Sequence, residues 1–307
     1  MMILNFLRKI FGYFFDSPRP IISIQNLPTL SIVPEKKLVF PIWASQPDGI
    51  KSHKQGLPNV GNTCYLNALL QVLSSTPDFV QKLPSNSKIC VSLSRVISWV
   101  QQKGRLSIFA EIKKLQLYLF QEFRMFNEHS ENDPKELYLS LMGLLPDSSD
   151  FSIILYKKIL CKLCHNFSNL EEPSLFCILK NPSKKEIEEK LKNLEEEKEY
   201  KGGNLLYCEN CSANREMVMS TFGINIPNIF VFYIGNVLGK RAQGAYNFFY
   251  CGDKFELYGV ICYYNSGCRH YIAYTLDNAE WMQYNDDHIS YSSPDFEHAY
   301  MLFYKKT

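Results

Sequence analysis

The stretch "GLPNVGNTCYLNALLQ", residues 56–71, combines turn-forming residues, a cysteine and an apolar run, in that order. Glycine and asparagine suit turns because they tolerate unusual backbone angles. The residues after Cys64 are mostly apolar, which predicts a buried helix. Cys64 would then lie where a loop becomes a helix, beside free backbone N–H groups that favour negative charge. This position predicts a thiol with a lowered pKa, and therefore a reactive sulfur.

The length and composition of the chain are those of a globular protein. With 307 residues, of which 46% are hydrophobic and 14% aromatic, the chain can bury the core of one large domain or of two moderate ones. The net charge of +2 is close to balanced. It gives no electrostatic reason to expect nucleic acid as the main partner.

Helical patterns come first along the chain, and strand patterns follow. Residues 16–50 are rich in proline and serine and predict an irregular connection. Residues 64–145 carry apolar side chains at helical spacing, and strand-like apolar runs begin near residue 151. A charged segment over residues 184–204 predicts a helix that ends at its glycines. This order predicts an α+β protein with segregated layers.

The N-terminal stretch "MMILNFLRKIFGYFF", residues 1–15, is apolar but too short to span a bilayer. Arg8 and Lys9 interrupt it, which is not the pattern of a secretory signal. Its polar residues share one face of a helix. Two interpretations follow, a helix packed on the domain or an amphipathic helix on a membrane surface.

Ten cysteines are too few in a chain of 307 residues for a disulfide scaffold, but four of them form two CxxC pairs. In a chain with no clear signal peptide, such pairs indicate metal binding in a reducing compartment. Together they supply the four thiolates of a tetrahedral structural zinc site, with each pair in a knuckle at the tip of a hairpin. The alternative is a set of four free thiols. The four residues are Cys161, Cys164, Cys208 and Cys211.

A nucleophilic cysteine needs a base to accept its proton, and one downstream histidine has the expected context. His270 lies in a strand-like segment and is followed by Asn285 and Asp286. A cysteine, a distant histidine and an asparagine or aspartate that orients the imidazole form the papain-type arrangement. The three residues need only meet in space, so their separation in sequence is no objection.

The cysteine and histidine segments together resemble one known family. "GLPNVGNTCYLNALLQ" closely resembles the cysteine box of the ubiquitin-specific proteases, and "RHYIAYT…WMQYNDDHI" resembles their histidine box. The ending "AYMLFYKK" is similar to the closing strand of that family, so the resemblance covers residues 56–306. It implies a papain-like α+β fold with the architecture of a hand. The parts would be an N-terminal extension over 1–50 and a catalytic domain over 51–307, with a helical thumb at about 56–150, fingers at about 151–235 and a β-rich palm at about 236–307.

The resemblance also implies roles for individual residues. Cys64 matches the nucleophile of the family, His270 its general base and Asn285 the third member of the triad. Asp286 matches a neighbouring acidic position that shares or supports the role of the third member. Asn59 matches the side chain that helps to form the oxyanion hole, where an amide donates to the tetrahedral intermediate.

Substrate contacts and a cofactor follow from the same resemblance. Asp133 and Glu136 keep acidic positions that grip arginines of the ubiquitin tail in the family, although Asp-Pro-x-Glu is also a good start for a helix. Tyr271 is expected to contact substrate. The four paired cysteines would form the zinc ribbon of the fingers, which cradles the globular part of ubiquitin.

The chain departs from the family pattern at three places. Arg269 stands before the histidine where the family has glycine, "FVFYIGN" replaces an "HLKRF"-like strand, and the leading glutamines of the acidic box are absent. A glycine before the histidine leaves room for the Gly-Gly end of the modifier, and an arginine can crowd that channel. These differences indicate a divergent member.

We therefore expect a cysteine isopeptidase that removes ubiquitin, or a ubiquitin-like modifier, from lysines of target proteins. It would be a monomer with structural zinc, located in the cytoplasm or nucleus, with residues 1–15 available for the cytosolic face of a membrane. One alternative is a related domain that binds the modifier without turnover. The other is a zinc-dependent interaction scaffold, which would leave both catalytic boxes unexplained.

Overall fold

The structure, a computed structural model, describes residues 54–101, 107–129, 132–235, 244–265 and 269–307. The chain divides into two compact units, Met1–Ile50 and Lys51–Thr307, and every described residue lies in the second. The helix expected over residues 1–15 lies outside the described residues. Among the residues that are described, no helix is long and apolar enough to cross a membrane.

The helices of the described residues lie mostly before the first strand, as the sequence predicts. The helix after the turn-forming stretch is buried at every position beyond its first residue. Two single turns of 3₁₀ helix, Val80–Lys82 and Ser149–Phe151, flank the later helices. The α-helices are α1 (Cys64–Leu73), α2 (Lys88–Val100), α3 (Ile108–Glu122), α4 (Pro134–Met142) and α5 (Lys184–Lys192).

The ends of two helices test the capping signals of the sequence. Helix α4 begins as predicted, because the Asp133 side chain accepts a hydrogen bond from the backbone N–H of Lys135 at 2.7 Å. Helix α5 was expected to continue to its glycines, and that prediction is wrong. It ends at Lys192, and Gly202 instead forms a turn with φ of 64°.

The strands fill the second half of the chain. The strand-like runs "NIFVFYIG" and "FELYGVICYY" lie in β8 and β10. The strands are β1 (Ile153–Cys161), β2 (Phe167–Ser174), β3 (Cys177–Leu179), β4 (Lys198–Tyr200), β5 (Leu206–Cys208), β6 (Ala213–Arg215), β7 (Met217–Asn225), β8 (Ile229–Ile234), β9 (Asn247–Tyr250), β10 (Asp253–Asn265), β11 (Arg269–Asp277), β12 (Glu280–Asn285), β13 (His288–Tyr291) and β14 (Ala299–Lys306).

These strands form three sheets within the described residues. The largest has the order β13-β12-β11-β10-β14-β8-β3, with β9 paired to β10. All its pairs are antiparallel except β3 with β8. A separate four-stranded sheet has the order β2-β1-β7-β4, and β5 pairs with β6 in a short hairpin. The helical part followed by sheets confirms the predicted α+β class.

The two faces of the large sheet are packed differently. One face buries a cluster of rings in which Phe230 and Phe255 lie 4.8 Å apart and Phe248 and Tyr304 lie 5.0 Å apart. Helix α1 packs on the other face, where a Cβ added to Gly259 would lie 2.6 Å from Val72. Helix α1 also contacts β11, and Cys64 at the N-terminus of the helix lies beside Tyr271 near the start of that strand.

Candidate active site

The loop before Cys64 is shaped by hydrogen bonds to one amide. The Oδ1 atom of Asn59 accepts from the backbone N–H groups of Gly61 at 3.2 Å and Thr63 at 3.1 Å. Gly61 and Asn62 both have positive φ, of 116° and 50°. Glycine and asparagine are the residues that adopt such angles most readily. This explains why the sequence places these residues just before the cysteine.

A second close approach joins this loop to the turn after β12. The backbone N–H of Leu57 donates to the carbonyl of Asp286 at 2.9 Å. A Cβ at Gly56 would lie 2.5 Å from the carbonyl oxygen of Asp287, so the two backbones meet only because residue 56 is glycine. The chain leading to the cysteine is therefore held against the turn that follows Asn285.

Cys64 is the first residue of α1, and its side chain is partly buried. Its sulfur accepts hydrogen bonds from the backbone N–H groups of Tyr271 and Tyr65. Tyr271 directly follows His270 in β11. The structure thus brings the thiol and the histidine to the same end of β11, as the papain-type arrangement requires.

His270 is oriented by the asparagine that the sequence indicated. The distance from His270 Nε2 to Asn285 Oδ1 is 2.6 Å. Because an amide oxygen only accepts, Nε2 carries the proton of the neutral imidazole. Nδ1 is then the nitrogen that can accept a proton. The geometry is that of a base held in one tautomer by a third side chain.

The expected pKa of the nucleophile is wrong in direction. Burial raises the pKa of the Cys64 thiol above its usual value, and the negative charge of Asp286 adds to the increase. The backbone N–H groups of Tyr271 and Tyr65 act in the opposite direction but do not outweigh burial. The helix N-terminus alone therefore does not ionise this thiol.

Asp286 lies beside the triad but bonds to other residues. Its Oδ2 atom accepts from Asn59 Nδ2 at 3.0 Å, and its Oδ1 atom accepts from Asn67 Nδ2 at 2.8 Å. The side chain that bonds to His270 is that of Asn285. Asn59 is exposed, and the hydrogen bond to Asp286 uses one of the two N–H groups of its amide. The second N–H remains to donate to a bound oxyanion.

Two polar residues of α1 belong to this site and were missed in the sequence. Asn67 is buried and donates to the carbonyls of Leu57 and Pro58 at 3.1 and 3.2 Å. Gln71 is also buried and donates to the carbonyl of Gln55 at 2.8 Å. Both lie on the helix face of Cys64, at three and seven residues beyond it. Burial of a polar side chain without a hydrogen-bond partner costs free energy. An asparagine and a glutamine inside an otherwise apolar helix were therefore the signal that the sequence offered.

Of the three residues expected to contact substrate, Tyr271 lies beside Cys64, and Asp133 is linked to Tyr271 through Tyr300. Asp133 caps α4, and its other carboxylate oxygen accepts a hydrogen bond from the hydroxyl of Tyr300. Glu136 forms an ion pair with Lys135 at 3.0 Å. Tyr271 is buried beside Tyr300, with ring centroids 5.6 Å apart. Asp133 is therefore the predicted helix cap, whereas its contact with Tyr300 and the Lys135–Glu136 ion pair were not predicted from the sequence.

The two CxxC pairs converge at the far end of the four-stranded sheet. The Sγ atoms of all four cysteines lie within 4.8 Å of one another, and two of the distances are 3.7 and 4.0 Å. A tetrahedral zinc–thiolate site with bonds of about 2.3 Å has sulfur–sulfur edges of about 3.8 Å. His165 and Ser212, each directly after the second cysteine of a pair, have φ of 57° and 49°. The cluster can therefore hold a metal ion in two matching knuckles.

Comparison with known proteins agrees with this geometry. A family model described as "Ubiquitin carboxyl-terminal hydrolase" matches residues 55–304. The chain belongs to the ubiquitin carboxyl-terminal hydrolase family. The match spans both the cysteine and the histidine segments, so it confirms the resemblance to the ubiquitin-specific proteases.

Curated relatives share about a quarter of their residues with this family member. "Probable ubiquitin carboxyl-terminal hydrolase 16" of Schizosaccharomyces pombe is 25% identical over 91% of this chain and 71% of its own length. "Ubiquitin carboxyl-terminal hydrolase 17-like protein D" of Mus musculus is 24% identical over 81% of this chain. The alignment covers only 54% of that mouse protein. The chain thus spans little more than half the length of that mouse protein.

Solved structures show the same fold. The SAGA DUB module of Ubp8, Sgf11, Sus1 and Sgf73 bound to monoubiquitin contains a chain that matches with a TM-score of 0.61 and 20% identity. The match covers 83% of this chain and 69% of that one. The same module bound to ubiquitin aldehyde gives a TM-score of 0.61 at 19% identity. The papain-like hand of the ubiquitin-specific proteases is therefore the fold of this chain.

Proposed function

We propose that this protein is a thiol isopeptidase that cleaves ubiquitin, or a ubiquitin-like modifier, from lysine side chains of other proteins. The observation that carries the proposal is the 2.6 Å contact between His270 Nε2 and Asn285 Oδ1, at the strand end where Cys64 meets the N–H of Tyr271. Membership of the family and the fold shared with ubiquitin-bound DUB modules support ubiquitin as the first modifier to test.

In the proposed reaction the Cys64 thiol gives its proton to His270 Nδ1, and the sulfur attacks the carbonyl carbon of the terminal glycine of the modifier. The oxyanion of the tetrahedral intermediate accepts the second N–H of Asn59. His270 then returns the proton to the lysine amine as the C–N bond breaks, which leaves a thioester. Water attacks the thioester with His270 as base and releases the carboxylate and the thiol.

Asp286 has a positioning role in this scheme. Its carboxylate holds the Asn59 and Asn67 amides, and its carbonyl holds the chain at Leu57. It therefore fixes the oxyanion donor relative to the nucleophile, while Asn285 orients the base. Asp133 and Tyr271 border the route by which an extended tail would reach Cys64.

We propose zinc as the ion of the four-cysteine cluster. Four thiolates without an open position form the ligand set of structural zinc sites, and the sulfur spacing fits that geometry. Cys161, Cys164, Cys208 and Cys211 would hold the ion, which would join the β1–β2 turn to the β5–β6 hairpin. The ion supplies cross-linking in this scheme and takes no part in the reaction.

A ubiquitin probe with a reactive vinyl ester at its C-terminus tests the function. We expect the wild-type protein to form a covalent adduct, and Cys64→Ala to abolish it. Cys90→Ala is the matched control, because Cys90 is a buried thiol of α2 remote from the triad. An adduct that survives Cys64→Ala would contradict the proposal. Parallel probes built on ubiquitin-like modifiers identify the modifier.

A second candidate function is a domain that binds the modifier without turnover, and Arg269, which stands where the family has glycine, favours it. In that case the probe gives no adduct, while ubiquitin still binds to both the wild-type protein and the Cys64→Ala variant. Calorimetric titration with ubiquitin separates this outcome from complete absence of recognition.

We propose that the protein is a monomer of the cytoplasm or nucleus, and that residues 1–15 form a helix that either packs on the domain or lies on the cytosolic surface of a membrane. Deletion of residues 1–15 is expected to release the protein from the membrane fraction of cells and to leave probe labelling unchanged. A full-length protein that is already absent from membranes would contradict the membrane part.

A further inference from the structure

Four tyrosines from four neighbouring strands form a continuous wall that begins at Cys64. The ring centroids of Tyr271 and Tyr300 are 5.6 Å apart, and those of Tyr300 and Tyr233 are 5.1 Å apart. Tyr263 lies 5.1 Å from Tyr271 and 5.9 Å from Tyr300. We call these four side chains the tyrosine wall. Its near end is at the nucleophile, because the N–H of Tyr271 contacts the Cys64 sulfur.

The far end of the tyrosine wall carries a cation site. Lys135 Nζ lies 4.8 Å from the centroid of the Tyr233 ring and 3.0 Å from Glu136 Oε1. An aromatic face together with a carboxylate attracts a cation more strongly than either group alone. The side chains of Lys135 and Glu136 are 21% and 29% exposed. The site is thus partly shielded from water but open to a ligand.

The occupant of this site is a charged and flexible side chain of the protein itself. Burial acts to lower the pKa of Lys135, but the hydrogen bond and charge of Glu136 and the charge of Asp133 outweigh it, and the pKa is raised. Lys135 therefore remains an ammonium at neutral pH. Because its charge is carried on a flexible four-carbon stem, it can leave the site without movement of the backbone.

The distance along the tyrosine wall relates the cation site to a position in a substrate. Two ring-to-ring steps of 5.6 and 5.1 Å link Tyr271 to Tyr233 through Tyr300. An extended chain advances about 3.3 Å per residue, so about three residues cover a path of this length. A peptide whose last carbonyl meets Cys64 would place its fourth residue from the end beside Tyr233.

We propose that Lys135 is a specificity-determining residue. Its ammonium fills the cation site of Tyr233 and Glu136. There it competes with a basic side chain at the fourth residue from the end of the substrate tail. The inference rests on the proposed function, since it assumes a tail that ends at Cys64. A neutral side chain at that position does not contend for the site. Because Lys135 occupies the site, the affinities of the protein for basic and neutral tails differ less than they would if the site were empty.

Binding measurements in a Cys64→Ala background test this directly. The probes are two fluorescein-labelled hexapeptides that end in Gly-Gly and carry arginine or norleucine at the fourth residue from the end. We expect Lys135→Met to tighten binding of the arginine peptide about fivefold to thirtyfold, the range of a partly desolvated cation–π and carboxylate contact. Binding of the norleucine peptide should change by less than about twofold.

The matched control is Lys158→Met, because Lys158 Nζ lies 4.1 Å over the Phe167 ring in the four-stranded sheet, away from Cys64. It should leave both affinities unchanged. Adding Glu136→Gln or Tyr233→Leu to Lys135→Met should remove the gain for arginine. Lys135→Gln provides a second variant if Lys135→Met fails to fold, as judged by circular dichroism.

Two results would overturn the inference. One is an equal change for both peptides on Lys135→Met, and the other is that neither peptide binds any variant. The measurement needs no turnover, so its failure is distinct from failure of the proposed function. If the protein forms no adduct with the ubiquitin probe but Lys135→Met still tightens binding of the arginine peptide, the isopeptidase proposal is wrong. The role proposed for Lys135 then stands.

Discussion

Cys64 and the four cysteines of the CxxC pairs carry the same thiol in two different surroundings. Cys64 stands alone at a helix N-terminus, with a raised pKa and a histidine at the adjoining strand end. The other four thiols face one another within 4.8 Å. There, hydrogen bonds from the backbone of Asn166 and the side chain of Asn210 lower the pKa of Cys164 to about 6.

The difference shows that position relative to partners decides the chemistry of a cysteine. A single thiol that stays neutral until a base removes its proton is suited to attack on a carbonyl. Four thiols at the edges of a tetrahedron leave a bound metal no free position and are suited to structure. The two regions should therefore differ in how their substitution changes activity, metal content and response to pH.

The largest expected effect is on activity at the isolated thiol. Cys64→Ala should reduce cleavage of a ubiquitin–aminomethylcoumarin substrate by about 10⁴-fold or more, because the attacking group is lost. The melting temperature should change by less than about 2 °C, since the side chain is small and lies at the edge of the core. Fluorimetry and calorimetry on the same preparation check both values. A large loss of stability would place Cys64 among the structural cysteines.

Cys208→Ala should have the opposite profile. Removal of one of four ligands is expected to lower bound zinc from about one ion per chain to almost none, and to lower the melting temperature by about 5 °C or more. The β5–β6 hairpin should become sensitive to limited proteolysis. Elemental analysis and calorimetry measure these changes. Cys251→Ala is the control, because Cys251 is an exposed thiol outside the cluster; unchanged zinc in Cys208→Ala would refute the metal site.

Asn59→Ala should reduce kcat by about 10²–10³-fold, the usual cost of one oxyanion donor. The KM should change little, because the donor acts on the charge that develops during the reaction. Asn62→Gly is the matched control in the same loop, since glycine keeps the positive φ of 50° at that position. Steady-state kinetics of both variants give the comparison. An increase in KM with kcat unchanged would assign Asn59 to binding instead.

The pH dependence of alkylation tests the raised pKa of Cys64. In the zinc-loaded protein, the rate of modification of Cys64 by iodoacetamide should increase as the pH rises through and beyond the usual range of a thiol, because only the thiolate reacts. Asp286→Asn removes a charge that raises this pKa, so the profile should move to lower pH. Mass spectrometry of the peptide containing Cys64 follows the rate. A shift to higher pH would contradict the assigned role of the Asp286 charge.

The smallest effect concerns a buried lysine near the C-terminal end of α1. Lys54 contacts Ser75 and Thr275, and burial lowers its pKa to about 8 from 10.5. Between about pH 8 and 10.5 the unfolded chain binds this proton and the folded chain does not, so this residue makes the free energy of unfolding increase with pH. Lys54→Met should remove that increase. Urea unfolding of both proteins at pH 7.5, 9 and 10 measures the difference; identical pH dependence would show that the lysine titrates normally.

Much of this molecule follows from local sequence rules. The Gly-Asn-Thr turn, the buried helix after Cys64 and the Asp133 cap depend on neighbours in sequence, and each is found where the pattern predicts it. The strand-like runs are found in the large sheet for the same reason. The prediction of where α5 ends was wrong because the backbone pairs as β4 with β7 before the glycines are reached.

The reactive residues and their chemistry can be read from the amino-acid order alone: one cysteine after a turn, one histidine in a strand, and two CxxC pairs. The environment that tunes these groups arises only when the chain folds. The raised pKa of Cys64, the bonds of Asp286 to Asn59 and Asn67, and the Lys135 cation site each depend on segments distant in sequence. Burial and charge act through space, so no local pattern records them.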